Sequence, residues 1–191
     1  MYARIAALSC TLMCCAWPQR DTEVGSKPSP MEGFAARSGA RTSWSSQIAT
    51  LERGGSRATL TALIIEDNSE PVRTMRGVKV DLVSGDDEDH IYLDEEAAAR
   101  TQSSLEEILE MVDRRGGTTP NGCYGAKAFW PLYDWPWNAY HEMNADYCGW
   151  DGGTLVLSGR GGHHRAVRLP GVDPSVVVSW LADAIAQLKL H

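Results

Sequence analysis

The sequence predicts an α+β fold: an antiparallel sheet built from two hairpin-plus-helix units, with an irregular aromatic-rich insert between them. Three observations lead there. Short β-branched or alternating segments come in pairs joined by polar turns, which suits hairpins better than parallel strands. Each pair is followed by a capped amphipathic helical pattern rather than interleaved with one. Between the two units, residues 118–153 hold nine of the chain's 15 aromatic residues.

In the first unit, residues 58–65 read Ala-Thr-Leu-Thr-Ala-Leu-Ile-Ile, a strand stopped by the turn signal Glu66-Asp67-Asn68-Ser69. Residues 77–83 alternate, placing Val78, Val80 and Leu82 on one face. The acidic tip 84–89 leads into a return strand at 90–93. Asp94 then caps a helix whose first turn carries Glu95 and Glu96, favourably placed against the N-terminal dipole. Leu105, Ile108, Leu109 and Val112 form its apolar stripe, and Arg114-Arg115-Gly116-Gly117 supplies its stop.

The same order recurs near the C-terminus. Residues 154–157 form a strand, 158–164 a glycine-rich connection and 165–169 the return. Asp173 caps a second helix with Pro174 in its first turn, and Val177, Trp180, Leu181, Ile185 and Leu188 supply its buried stripe. A shift of 76 residues pairs Ile91 with Val167, Leu93 with Leu169, Leu105 with Leu181, Leu109 with Ile185 and Val112 with Leu188. The spacing is consistent with an internal repeat and equally with two independent hairpins of common design.

The insert is the candidate binding site. Trp130, Tyr133, Trp135, Trp137, Tyr140 and Trp150 combine large apolar area with polar tips, which suits a protein, peptide or carbohydrate ligand. The same residues would equally serve to pack an irregular segment. Cys123 and Cys148 bracket them, and in an oxidising compartment a disulfide there would close a loop of about 26 residues, contributing roughly 3 kcal/mol.

The N-terminus reads as an address. Arg4 precedes an apolar stretch over residues 5–16 that is interrupted only by Ser9 and Thr11, the pattern of a secretory signal. Leu12-Met13-Cys14-Cys15 resembles the lipobox of bacterial lipoproteins, with Leu at −3 and a small residue at −1 relative to Cys15. That resemblance implies lipidation of Cys15 and a signal peptide spanning 1–15, hence an exported protein held at the membrane of a bacterial envelope. If Cys15 is not lipidated, the protein is secreted. Of residues 18–56, 18 are Pro, Gly, Ser or Thr, so 16–56 is expected to be a flexible tether and 57–191 the single folded domain.

The net charge of −7 gives no general attraction to nucleic acid, and none is expected as a partner. No apolar run reaches the roughly 20 residues of a spanning helix. His141-Glu142-Met143-Asn144-Ala145 begins like a zincin motif, but Ala145 stands where the second histidine belongs. The acidic tip lacks the ligand spacing of a calcium loop, and no phosphate-binding or dinucleotide fingerprint occurs. The expectation is therefore a non-enzymatic, envelope-associated binding domain with no catalytic residue, metal or cofactor. The alternative is a metal-dependent hydrolase using His141, Glu142 and Asp146.

Overall fold

In the computed structural model the described residues are 29–114, 123–125, 144–149, 153–158 and 166–191. Their order is α1 (Pro30–Ala35), β1 (Ala40–Arg53), β2 (Ser56–Asp67), β3 (Arg73–Ser84), β4 (Asp87–Asp94), α2 (Glu95–Arg114), β5 (Cys123–Gly125), β6 (Asn144–Cys148), β7 (Thr154–Ser158), β8 (Ala166–Pro170) and α3 (Ser175–Leu188). The fold is α+β with antiparallel sheets, as expected. The single expected sheet is two four-stranded sheets, ordered β1-β2-β3-β4 and β5-β6-β7-β8. The strands expected at 58–65, 77–83 and 90–93 are β2, β3 and β4, so β1 is the addition to the first sheet, while β5 and β6 are additions to the second.

Order begins well before residue 57. The segment expected to be a tether over 16–56 contains α1 and the 14-residue strand β1 from Ser29 onward. Two register shifts, between Thr42 and Trp44 and between Gln47 and Ala49, explain why no period of two was visible. Trp44, Ser46 and Ile48 share one phase; after the second irregularity Ala49 and Leu51 take over that role. The Gly54-Gly55 turn that joins β1 to β2 has φ of +56° and +78°, the left-handed backbone that a two-residue hairpin of this hand requires.

β2 has apolar residues on both faces because it is covered on both. Ala58, Leu60, Ala62 and Ile64 face the main core with Val78, Val80, Leu82, Ile91 and Leu93. That core continues into Leu105, Ile108 and Val112 of α2, Leu181, Ala184 and Leu188 of α3, and Leu155, Leu157, Val167 and Leu169 of the second sheet. On the opposite face Leu63 and Ile65 meet Met31 and Phe34 of α1. α1 is held by Ser29, whose hydroxyl accepts from the Glu32 amide at 3.1 Å and donates to the Tyr92 carbonyl at 2.7 Å.

The α2 start agrees with the sequence, whereas α3 begins one residue later than expected, with Pro174 and not Asp173 at its N-cap position. Asp94 Oδ1 accepts from the Ala97 amide at 2.8 Å, and Asp173 Oδ1 accepts from the Ser175 amide at 2.8 Å. At the β2–β3 loop, buried Asp67 accepts from the Ser69 amide at 3.0 Å and the Ser69 hydroxyl at 2.7 Å, and pairs with Arg37 at 3.2 Å.

Candidate functional site: the open half of the first sheet

The first sheet is covered on its core face along its length; among the described residues, the other face is covered by α1 around Leu63 and Ile65 and not beyond. Three rungs beyond that end carry polar side chains. Gln47, Thr61, Lys79 and Tyr92 form the first, and Thr50, Thr59, Asp81 and His90 the second. Glu52, Arg57, Val83 and Glu88 form the third. The alternation that buries Leu60, Val80 and Ile91 on one side necessarily presents Thr59, Lys79, Asp81 and Tyr92 on the other.

These rungs enclose an open groove of about 350 Å³, floored by Thr59, Lys79 and Asp81. It shares Glu52, Arg57 and Val83 with a second hollow of about 380 Å³ at the Gly54-Gly55 turn. Lys79 Nζ stands 2.6 Å from Asp81 Oδ1, an oxygen closed off from solvent. Burial opposes charge on Lys79, but Asp81, then Tyr92 and Glu88, overcome it and hold the ammonium above its ordinary value. Arg57 pairs with Glu52 at 3.9 Å across β1 and β2. The Thr50 and Thr59 hydroxyls are 3.0 Å apart, so one donates to the other. At the β4 side, the His90 and Tyr92 rings meet edge to face with centroids 5.6 Å apart.

Trp130, Tyr133, Trp135, Trp137, Tyr140, Trp150, His141, Glu142 and Cys15 lie outside the described residues. Cys123 and Cys148 are direct partners in the β5–β6 register. Asp146 sits in mid-β6 between Gly125 and Val156, half-buried, and burial pushes its carboxyl above the ordinary value. Among the described residues no group of three or more His, Cys, Asp or Glu side chains is placed to hold a metal ion.

The sequence reading missed the groove for a definite reason. Thr59, Thr61, Lys79 and Asp81 were visible as the polar phase of two strands, which is also what any solvated sheet face looks like. The β1 wall was hidden by its register shifts. No family model, curated protein or solved structure matches this chain.

Proposed function

We infer that this chain is an exported, membrane-tethered domain that binds a ligand rather than transforming it, and that it binds on the open half of the first sheet. The groove carries this reading: a sheet with covered apolar rungs at one end leaves a row of paired charges and hydroxyls open at the other. Its lysine, kept protonated beside Asp81, is suited to hydrogen bonding and not to acting as a base or nucleophile.

The register of Cys123 and Cys148 supports export. Directly opposed antiparallel residues have Cα atoms about 4.5–5.5 Å apart, inside the span a disulfide bridges. A bond there requires an oxidising compartment, in keeping with a signal peptide over 1–15 and lipid on Cys15. We read the halves of the domain as related hairpin-plus-helix units, since Ile91 and Val167, Leu93 and Leu169, and Leu105 and Leu181 are equally buried at matching positions. The second reading of the site keeps ligand contact on the aromatic residues of 118–153, which their clustering in sequence favours.

Co-sedimentation with isolated cell envelopes tests the reading. Full-length protein carrying Cys15→Ser, which removes the lipid, should still sediment with envelopes from the producing cells. Thr59→Arg, which fills the groove floor, should leave it in the supernatant. Sedimentation unchanged by Thr59→Arg but lost in Trp135→Ala and Trp137→Ala would transfer the site to the aromatic segment.

A further inference from the structure

Resting on the open sheet face as the binding surface, we propose that the ligand held there is an uncharged saccharide. The described lining carries three carboxylates, Glu52, Asp81 and Glu88, against the two cations Arg57 and Lys79. Asp81 meets Lys79 and Glu52 meets Arg57, so a phosphate or carboxylate ligand would have to compete with a carboxylate already in place. Gln47, Thr50 and Thr59 each both donate and accept hydrogen bonds, as sugar hydroxyls do. Among the described residues of the lining Val83 is the single apolar one, which disfavours a lipid or other apolar ligand.

Two aromatic rings lie beside the groove's described lining. His90 and Tyr92 stand next to Asp81 and Lys79 in register on the same sheet face, their rings meet edge to face, and Tyr92 also packs against the α1 cluster. A pyranose has an apolar C–H face and an equatorial belt of hydroxyls, so one seated on the polar floor can also meet the exposed His90 ring at its edge. An extended peptide finds less to use here. Peptides add to sheet edges through free backbone groups, whereas the β2 and β3 ladders beneath the groove are paired on both sides. Nucleic acid would need a cationic surplus that the paired charges do not leave. A volume of about 350 Å³ lies within the range of small-ligand sites and matches a short glycan segment better than a polymer surface.

The test uses full-length protein with Cys15→Ser on an array of neutral and acidic bacterial oligosaccharides, followed by calorimetric titration of the best neutral glycan. Binding to a neutral glycan is expected, and raising salt from about 0.05 to 0.5 M should change its affinity by less than about twofold, because no net charge is neutralised. Asp81→Asn and, independently, the shape-conserving Thr59→Val should each weaken it by about tenfold or more through an unmatched buried polar partner. Glu107→Gln, on the exposed side of α2, should leave it unchanged. A silent array, binding confined to acidic glycans and abolished by salt, or full affinity in folded Thr59→Val overturns the proposal. If the array is silent while Thr59→Arg still abolishes envelope co-sedimentation, the saccharide class falls and the binding surface stands. If both fail, both are withdrawn.

Discussion

Met31 occupies the space directly above Gly77, where any larger residue would place its Cβ. A methyl group at that position would also run into the Leu93 carbonyl and the Asp94 backbone, neither of which can swing aside. The contact seats α1 on the sheet and fixes where its cover stops, and so where the groove begins.

Gly77→Ala should therefore destabilise the domain by about 1–3 kcal/mol by overpacking. Met31→Ala, which removes a fully buried side chain, should cost about 2–5 kcal/mol. Urea denaturation midpoints of the two variants check this. A Gly77→Ala midpoint equal to that of the parent would mean that α1 does not dock as described.

Asp67 makes stability depend on pH. The Ser69 amide and hydroxyl, with help from Arg37, hold its carboxyl below the ordinary value despite burial. A carboxylate lowered on folding stabilises fully above its unfolded value, and that contribution is lost as pH falls through the lowered, folded one. Stability should accordingly decline between about pH 5 and pH 2, and Asp67→Asn should flatten that decline while lowering stability at neutral pH. Urea midpoints against pH for both proteins test the sign; a steeper acid decline in Asp67→Asn would contradict it.

The β5–β6 pairing predicts a bond. Non-reducing peptide mapping of exported protein should join Cys123 to Cys148, and Cys148→Ala should lower stability by about 2–5 kcal/mol. Two free thiols in exported material would remove the disulfide and the strongest support for export.

The parts of the fold legible in the sequence were those with one uninterrupted period. Val78, Val80 and Leu82 alternate cleanly, Leu105, Ile108 and Val112 recur at helical spacing, and Asp94 and Asp173 serve the helix starts from which they were read. β1 was not legible because its inward phase changes after Ile48, and its serines and threonines imitate a linker. Splitting into two sheets was hidden for a related reason: β5 has three residues, too few for any pattern to register. The groove depends on which rungs α1 leaves open, and α1 is placed by Ser29, Met31 and Gly77, positions far apart in sequence. Composition singles out the aromatic candidates at 130–150, whereas the groove is a product of strand register.

Site-specific photocrosslinking in intact cells tests the central claim, that the open half of the first sheet is where the ligand binds. A benzophenone amino acid would replace Glu88, exposed at the rim of the groove, in one protein and Glu107 in another. An irradiation-dependent covalent adduct of saccharide mass is expected at position 88 and none at position 107. An unmodified position 88 after irradiation, in folded and correctly localised protein, would contradict the claim.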